Sequence, residues 1–472
     1  MRKTKIICTL GPSTNTPEKM KELMISGMNV ARFNFSHGSY EEHSERLSHI
    51  RKLRQELSLP VAVLLDTKGP EIRIGTFQNH KIHLSKGDTF TLTTRDIIGD
   101  QNQVSVTWKE LPKDVSAESR ILIDDGLLEL SVIEIKSTDI ICKVMNDADI
   151  SDRKGVNLPG ISLSMPFLND KDKEDILFGI KNDFDFIAAS FTRTAEDILQ
   201  MRSFIRNHGC KSIKIIAKIE NMQGVENIEQ ILEVADGIMI ARGDMGIEIP
   251  LEEVPIIQKD LISKCRAKGK PVITATQMLD SMMKHPRPTR AEATDIANAI
   301  YDGTSAIMLS GETAAGDYPI ESLKTMVKIA ERTEQSIDYV KCFKEKSNDS
   351  YPSVTDAISF ATCNTAHDLQ ARAIITVTKL GQTARMISRV RPACPIIGCS
   401  PDEKVCRQLN LNWGISPVLI NEEKNAEALF MDAIQATKDS GYVDSNDLAV
   451  ITAGVPLGIS GNTNMIRVVV VN

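Results

Sequence analysis

Short apolar runs bounded by turn residues recur along the first two thirds of the chain, and amphipathic stretches follow most of them. Such runs are typical of strands that are buried on both faces of a parallel sheet. The runs are residues 6–9, 29–33, 61–66, 186–190, 213–218, 237–241, 272–276 and 306–310. The amphipathic stretches are residues 17–26, 41–57, 196–208, 251–268 and 289–302. Strands and helices in this alternation predict an α/β fold, a (β/α)8 TIM barrel.

The connection between the third and fourth strands is far longer than a barrel connection needs. Within it, residues 81–94 and 120–144 alternate apolar and polar positions, as half-exposed antiparallel strands do. We expect an inserted β-rich domain at residues 70–166, after which a helix begins near Asn169. The barrel domain is then expected at residues 1–69 and 167–345.

The last quarter of the chain again alternates strands with helical patterns, after a polar, turn-rich segment at 347–352. The expected strands are residues 373–378, 395–399, 416–420, 448–453 and 465–471. The expected helices are residues 354–369, 383–390, 402–409 and 425–441. This pattern predicts a C-terminal open α/β domain at residues 346–472.

Composition excludes several classes of function. The 472 residues carry a formal charge of −7, which argues against a general nucleic-acid binder. No apolar run approaches the ~20 residues that cross a bilayer, and the N-terminal apolar stretch is too short for a signal peptide. The nine cysteines form no CxxC pair, which is typical of reduced thiols in a cytoplasmic protein. We therefore expect neither a nucleic acid nor a membrane as partner.

Polar residues follow the second and third strands, where a barrel of this type has its active site. Arg32, Asn34 and Ser36 would share one face of an extended chain, and Asp66 and Thr67 end the next strand. Oxygen ligands beside a guanidinium suit a monovalent cation next to an anion. An ordinary polar rim, or a turn cap at the third strand, would account for the same residues.

A second group of charged residues ends the fifth and sixth strands. Lys218 and Glu220 share a face, and Asp244 lies on the neighbouring strand end, so both carboxylates could hold Mg2+. A lysine there would supply charge to a transferred phosphoryl group. A surface Lys–Glu pair worth ~0–1 kcal/mol is the alternative, and Thr276, on the seventh strand, is alone a weak signal. The chain has no catalytic triad order, HExxH or P-loop motif.

These segments together closely resemble the pyruvate kinase family, over essentially the whole chain. The matching segments are residues 29–38, 65–73, 154–160, 218–220, 241–250, 275–279 and 308–313. Several motifs in one order and at compatible spacing make the resemblance specific. It implies a barrel with a lid and a regulatory domain, and transfer of a phosphoryl group from phosphoenolpyruvate to ADP, giving pyruvate and ATP in the final step of glycolysis.

The resemblance also implies residue roles. Lys218 would stabilise the phosphoryl group in flight, Arg32 would contact the phosphate, and Thr276 would lie near the face where the enolate is protonated. Glu220 and Asp244 would hold Mg2+ or Mn2+. The substrate-binding residues would be Arg32, Lys218, Gly243, Asp244 and Thr276. The ligands of K+ would be Asn34, Ser36, Asp66 and Thr67, and the nucleotide contacts would be Asn34, Arg73 and Lys154.

Two rival functions use part of the same set. A metal-dependent carbon–carbon lyase on a related barrel needs the metal carboxylates but not the lid, Arg73 or Lys154. A catalytically silent, metabolite-binding regulator would have lost Lys218 or a metal carboxylate, and none is missing here. One departure from the family is Ala315, where relatives often carry Lys, at a position to which we assign no chemistry.

The segment 374–383 runs from a strand into a helix, where hydroxyls, backbone N–H groups and a helix N-terminus form a ready anion site. A plain strand–turn–helix with a Thr cap would look the same. The resemblance implies that a sugar phosphate or a nucleotide binds here, beneath the loop 454–463, in a homotetramer. Fructose 1,6-bisphosphate, ribose 5-phosphate and AMP all remain open. The effector-binding residues would be Thr378, Lys379, Gly381 and Thr383.

Overall fold

The computed structural model describes residues 1–345, 353–423, 425–456 and 461–472. Two features of the sequence analysis therefore lie outside the described residues. They are the turn-rich segment 347–352 and the centre of the loop 454–463, residues 457–460.

The strands fall into four groups along the chain. The first barrel strands are β1 (Lys5–Thr9), β2 (Val30–Asn34) and β3 (Ala62–Asp66). The lid strands are β4 (Ile72–Arg73), β5 (Lys81–Leu84), β6 (Thr89–Thr93), β7 (Gln103–Ser105), β8 (Arg120–Ile123), β9 (Leu128–Lys136), β10 (Asp139–Val144), β11 (Ala148–Ser151) and β12 (Gly155–Asn157). The barrel resumes with β13 (Phe186–Ala189), β14 (Lys214–Ile219), β15 (Gly237–Ala241), β16 (Val272–Ala275) and β17 (Ala306–Leu309). The C-terminal strands are β18 (Ala373–Val377), β19 (Ile396–Ser400), β20 (Ile415–Leu419), β21 (Leu448–Ala453) and β22 (Met465–Val470).

The helices surround these sheets. Up to the last barrel strand they are α1 (Pro17–Ser26), α2 (Tyr40–Leu57), α3 (Leu111–Asp114), α4 (Asp170–Lys181), α5 (Ala195–Asn207), α6 (Met222–Glu226), α7 (Ile228–Val234), α8 (Arg242–Glu248), α9 (Val254–Ala267) and α10 (Arg290–Asp302). The later helices are α11 (Gly311–Ala314), α12 (Pro319–Glu334), α13 (Tyr339–Glu345), α14 (Val354–Asp368), α15 (Gln382–Val390), α16 (Glu403–Leu409) and α17 (Ala426–Asp439). Short 3-10 helices occur at Pro12–Thr14 and Asp280–Met283. No helix in the described ranges has both the length and the low polarity needed to span a bilayer.

The eight parallel strands close into a barrel in the order β1-β17-β16-β15-β14-β13-β3-β2. This confirms the predicted TIM barrel, with strand ends within one or two residues of those expected. The closure places the C-terminal end of every strand at one face, which we call the barrel mouth. Side chains that follow β2, β3, β14, β15 and β16 therefore meet over the same opening.

Capping residues set the starts of several barrel helices. Ser39 caps α2 and Thr289 caps α10, each in a capping box with the Glu three residues later. Such caps are worth ~1 kcal/mol each. The predicted helix start at Asn169 is confirmed, because its side chain accepts a hydrogen bond from Asp172 N at the beginning of α4.

The lid is a separate β-rich unit with its own core. Its main sheet has seven strands in the order β4-β12-β8-β9-β10-β6-β7, and β11 pairs with β5. Where the chain leaves and re-enters the barrel, Asn169 Nδ2 donates to Gly69 O at 3.2 Å and Gly69 N donates to Asp172 Oδ1 at 3.0 Å. The two crossing points are thus tied to each other. The expected residue limits of the three domains stay predictions.

The C-terminal domain is an open five-stranded sheet in the order β20-β19-β18-β21-β22, with the last strand antiparallel. It docks on the face of the barrel opposite the mouth. Arg407 Nε on α16 donates to Asp185 Oδ1 at 2.8 Å, and Asn410 Nδ2 donates to the carbonyls of Asn29 and Pro60 at 3.2 and 3.0 Å. Asp185 and Asn29 each directly precede a barrel strand, so a signal from this domain would enter the barrel at its base.

Candidate active site

Four charged side chains converge at the barrel mouth. Arg32 Nε lies 2.6 Å from Asp66 Oδ2, and Lys218 Nζ lies 3.3 Å from Asp66 Oδ1 and 2.9 Å from Glu220 Oε1. Each of the four residues is at most 9% exposed. The structure therefore brings together the predicted Arg32, Lys218 and Glu220, and it makes Asp66 the carboxylate that joins the two cations.

The electrostatics keep Asp66 and Lys218 charged. Burial would raise the pKa of Asp66, but the neighbouring Arg32 and Lys218 outweigh it and the net shift is downward. Burial would lower the pKa of Lys218, but Asp66 and Glu220 raise it above its ordinary range. Lys218 is therefore a buried ammonium group at neutral pH. Removing one partner from such a network leaves an uncompensated buried charge.

Glu220 is the member of the network that fits a cation best. Burial, opposed by Lys218 and reinforced by the charge of Asp244, raises the pKa of Glu220 to about 7. Its Oε2 accepts a hydrogen bond from Phe191 N at 2.5 Å, and its buried Oε1 lies 2.9 Å from Lys218 Nζ. The charge of Asp244 nevertheless disfavours the ionised form of Glu220. Two buried or mouth-facing carboxylates that repel each other in this way fit a hard divalent cation.

The two carboxylates stand without a third acidic or imidazole ligand. Among the described residues, no group of three or more His, Cys, Asp or Glu side chains is arranged to hold a metal ion. A cation at Glu220 and Asp244 would therefore take its remaining ligands from substrate and water, as Mg2+ commonly does.

Gly243 and Thr276 are joined directly. Helix α8 begins immediately after β15, and Gly243 N in its first turn donates to Thr276 Oγ1 at 2.7 Å. Thr276 has φ +68°, a left-handed conformation that is costly for a β-branched residue. Arg242 supports the turn, because it donates to Thr276 O at 2.9 Å and pairs with Asp295 at 2.7 Å. Strain of this kind concentrates at functional sites.

The sequence analysis missed Ser190. Lys218 Nζ donates to Ser190 Oγ at 2.8 Å, and this hydroxyl lies 2.6 Å from Thr67 O and 3.2 Å from Asp66 Oδ1. Ser190 is thus a third partner of the ammonium group, beside Asp66 and Glu220. The available signal was its position, as a polar residue at the end of the expected strand 186–190.

The predicted potassium ligands are only partly arranged as expected. Asn34 and Asp66 are register partners at the ends of β2 and β3, and Thr67 follows Asp66. The expectation that Ser36 continues an extended face with Asn34 is wrong, because β2 ends at Asn34 and Ser36 lies in an exposed turn. The turn nevertheless keeps Ser36 in contact with Asn34, because Ser36 N donates to Asn34 Oδ1 at 3.1 Å.

Of the three predicted nucleotide contacts, Asn34 ends barrel strand β2, whereas Arg73 and Lys154 lie on or directly before adjacent lid strands. Arg73 on β4 is the register partner of Gly155, the residue after Lys154. Arg73 pairs with Glu71 at 2.6 Å, and Lys154 pairs with Asp124 at 3.0 Å. Asp124 is a further polar residue of this surface that the sequence analysis did not select.

A cleft of about 400 Å3 separates the lid from the barrel, and both domains line it. Asp125 lines it from the lid, while Asp244 and Glu248 line it from α8. Burial, then the charges of Asp124 and Asp244, raise the pKa of Asp125. Carboxylates therefore face each other across the cleft, which suits a cation or a positively charged side chain between them.

The predicted effector residues form a turn between β18 and α15, here called the effector turn (residues 378–383). Gly381, at φ +81°, precedes α15, and Thr383 Oγ1 lies 2.8 Å from Thr463 Oγ1. Thr378 N donates to Cys399 O at 3.0 Å, and Lys379 Nζ lies 3.9 Å from Glu422 Oε1. The turn and the far end of the loop 454–463 are therefore in contact.

Comparisons with known proteins agree with this architecture. The family described as pyruvate kinase, barrel domain, matches residues 1–323, and that described as pyruvate kinase, alpha/beta domain, matches residues 356–469. A pyruvate kinase of Clostridium acetobutylicum is 50% identical over 472 residues, with 100% of both chains covered. A pyruvate kinase of Bacillus licheniformis is 50% identical over 473 residues, covering 100% of this chain and 81% of the relative.

A solved structure gives the same result. The crystal structure of a pyruvate kinase from Cryptosporidium parvum superimposes with a TM-score of 0.94 at 41% identity, covering 100% of this chain and 96% of that one. Both the barrel and the C-terminal domain are thus matched by sequence, and the whole fold is matched by structure. The chain belongs to the pyruvate kinase family.

Proposed function

We propose that the barrel mouth transfers the phosphoryl group of phosphoenolpyruvate to ADP, giving pyruvate and ATP, with Arg32, Lys218 and Thr276 in the catalytic roles. The observation that carries this assignment is the buried ammonium group of Lys218, held between Asp66 and Glu220. A fixed positive charge in a site shielded from water stabilises charge that develops on a transferring phosphoryl group.

Mg2+ or Mn2+ is proposed to bind at Glu220 and Asp244. The burial of Glu220 and the mutual repulsion of the two carboxylates support this assignment. When bound, the cation would neutralise the carboxylate and phosphate oxygens of the substrate. The peptide N–H groups near Gly243 and Asp244, with Thr276, would then orient the substrate carboxylate.

Thr276 is proposed to lie near the face where the enolate is protonated. Its Oγ1 contacts Gly243 N at 2.7 Å and Ala275 O at 2.6 Å, so its side chain is fixed. Arg32 is buried at the mouth and would contact the phosphate. Its bidentate geometry suits phosphate oxygens.

ADP is proposed to bind between the barrel mouth and the lid, at Asn34, Arg73 and Lys154. The two lid cations belong to neighbouring strands, so a diphosphate could contact both. K+ is proposed at Asn34, Ser36, Asp66 and Thr67, beside the Arg32–Asp66 pair. Lid closure over these groups would exclude water that could intercept the phosphoryl group.

Regulation and location are further parts of the proposal. A phosphorylated metabolite would bind at Thr378, Lys379, Gly381 and Thr383 in a homotetramer, where it could act through the docking of α16 on the barrel base. The contact between Thr383 and Thr463 supports a site shared by turn and loop. The cysteines are free thiols, which supports a cytoplasmic location.

A coupled assay for pyruvate tests the reaction. We expect pyruvate from phosphoenolpyruvate only when ADP and a divalent cation are both present, with ATP formed in equal amount. A lyase would act on its substrate without ADP, and a silent regulator would form no product. Pyruvate release that is independent of ADP would refute the proposal.

A further inference from the structure

The lid contacts the barrel in two kinds of place. Contacts near the crossing points include Arg193 Nη1, which donates to Leu163 O and Met165 O at 3.1 Å. A contact of a different kind lies deeper in the lid, where Asn157 Nδ2 donates to Glu248 Oε1 at 3.0 Å across 91 residues of sequence. The first kind can persist while the lid swings about its ends. The second must break when the lid moves away from α8.

A second lid residue acts on Glu248. The backbone N–H of Leu158 opposes the rise in the pKa of this carboxylate, so consecutive lid residues stabilise one barrel side chain. We call Asn157, Leu158 and Glu248 the latch. Both donors belong to the end of β12 and the residue after it.

The position of Glu248 does not serve the stability of its helix. It is the last residue of α8, where the helix dipole disfavours negative charge. Burial, opposed by the bonds from Asn157 and Leu158, also raises the pKa of Glu248. The carboxylate therefore gains its stabilisation from the lid and not from its own helix.

The latch connects two halves of the candidate site. On the barrel side, Glu248 lies one helical turn after Asp244, on the helix that also carries Gly243. On the lid side, Asn157 ends the strand that begins after Lys154 and pairs with Arg73 through Gly155. A movement of Arg73 and Lys154 with the lid would therefore be coupled, through the latch, to α8 and its Asp244.

We propose that Glu248 is a positioning residue that latches the closed lid to α8, so that the lid cations and Asp244 reach their working positions together. The inference rests on the proposed function, because it assigns the lid to the nucleotide and α8 to the metal and phosphoenolpyruvate. Loss of the latch lowers the population of the closed form. Apparent kcat/KM then falls for both substrates by the same factor.

The test is a double-mutant cycle on the full-length chain, measured in the coupled pyruvate assay with saturating co-substrate. We expect Asn157→Ala to lower kcat/KM for phosphoenolpyruvate and for ADP about tenfold, and Glu248→Ala to lower it at least as much, because that change also removes the contact with Leu158. The double variant should fall little below Glu248→Ala, because that single change already removes the bond from Asn157. Independent, multiplicative effects, or unchanged kinetics in both variants, would overturn the proposal.

Two further variants separate positioning from general destabilisation. Glu248→Gln keeps an acceptor for both donors and should remain within about threefold of the wild type. Glu252→Ala removes an exposed carboxylate from the segment just after α8 and should change nothing. A Gln variant as impaired as the Ala variant would show that the negative charge matters and that latching does not.

Hydrogen exchange supplies a readout that does not depend on activity. In Glu248→Ala, the amides of residues 155–158 should exchange faster, while those of β15 keep wild-type protection. Equal acceleration in both segments would mean general destabilisation and would reject the latch. A wild-type chain without ADP-dependent pyruvate formation would instead refute the proposed function, whatever the exchange data show.

Discussion

The barrel mouth and the effector turn are both places where strands deliver polar groups to one edge, yet they differ in how those groups are held. At the mouth, Arg32, Asp66 and Lys218 are buried and bound to one another. At the effector turn, the Lys379 side chain is 60% exposed and Leu380 is 53% exposed. One site has its charges fixed before any ligand arrives, and the other has only the side chains of Lys379 and Leu380 exposed, above the buried hydroxyls of Thr378 and Thr383.

This difference in burial and charge suits the two strand ends to different functions, catalysis at the mouth and ligand response at the effector turn. Fixed charges cost no reorganisation when the reaction develops charge, so they act on the rate. An exposed turn can bind and release a ligand without breaking ion pairs, so it can only shift an equilibrium between states. Substitutions at the mouth should therefore lower kcat, whereas substitutions at the effector turn should alter how the enzyme responds to a metabolite.

The largest effect is expected from Lys218→Ala, which removes the central fixed charge. Turnover should fall below about a tenth of wild type, a loss of more than ~1.4 kcal/mol in the transition state. The KM for phosphoenolpyruvate should change much less, because the charge matters most during transfer. Steady-state kinetics check this, with the exposed Lys211, just before the start of the same strand, changed to Ala as the control. Retention of most turnover would put the catalytic charge elsewhere.

Replacing K+ should have the next largest effect. Asn34 is the register partner of Asp66, Thr67 follows Asp66, and Ser36 N donates to Asn34 Oδ1. We expect the negative charge of nearby Glu71 to favour a bound cation. We expect turnover in K+ to exceed that in a tetraalkylammonium salt of equal ionic strength about tenfold or more. Glu71→Lys should narrow the gap, because its ammonium group replaces the ion. Equal wild-type rates in the two salts would argue against a potassium site.

A smaller change should follow Thr383→Ala in the effector turn. The substitution removes the hydroxyl that contacts Thr463, at 2.8 Å, but no fixed charge. We expect kcat to stay within about twofold, while activation by a phosphorylated metabolite weakens severalfold. Phosphoenolpyruvate saturation curves with fructose 1,6-bisphosphate, ribose 5-phosphate and AMP measure this, and the exposed Thr294→Ala is the control. If a metabolite shifts the wild type and Thr383→Ala equally, the effector site lies elsewhere.

The smallest effect on turnover is expected from Asp172→Asn at the lid crossing point, where the effect should appear in stability. Burial raises the pKa of Asp172 to about 6, from an ordinary value of 3.8. The contribution of Asp172 to the free energy of unfolding is therefore fully present below pH ~4 and is lost as the pH rises through 6. The total loss is up to ~3 kcal/mol. In Asp172→Asn this pH dependence should be absent, because the amide does not titrate, and the amide oxygen should still accept the hydrogen bond from Gly69 N. Chemical unfolding at pH 4 and pH 7 measures it, and parallel curves for both chains would contradict the assignment.

The fold was predictable because its signals are local and repeated. Each barrel strand is a continuous apolar run, whereas the lid strands alternate apolar and polar residues. These two patterns, together with the alternation of strands and helices, predicted the barrel, the insertion and the last domain. The strand-end rule then selected Lys218, Glu220 and Asp244, because each follows a recognisable strand. Membership of the family agrees with that selection.

What the sequence did not reveal depends on contacts between distant segments or on where a strand stops. Ser190 is a single small polar residue whose role comes from Lys218, 28 positions later. The proposed role of Glu248 depends on its hydrogen bond with Asn157, 91 positions earlier. Ser36 was misplaced because period-two alternation does not reveal that β2 ends at Asn34.

The bond between Gly69 and Asn169 has a consequence for how this protein can change over evolutionary time. The two crossing points are held together, so the inserted segment forms a loop with closed ends. The length of this loop should have little effect on the stability of the barrel. A doubling of such a loop costs only ~0.6 kcal/mol. The lid core is also separate from the barrel core. The insertion can therefore be enlarged, shortened or exchanged while the eight strands keep their register, provided that the bonds of Gly69 with Asn169 and Asp172 survive.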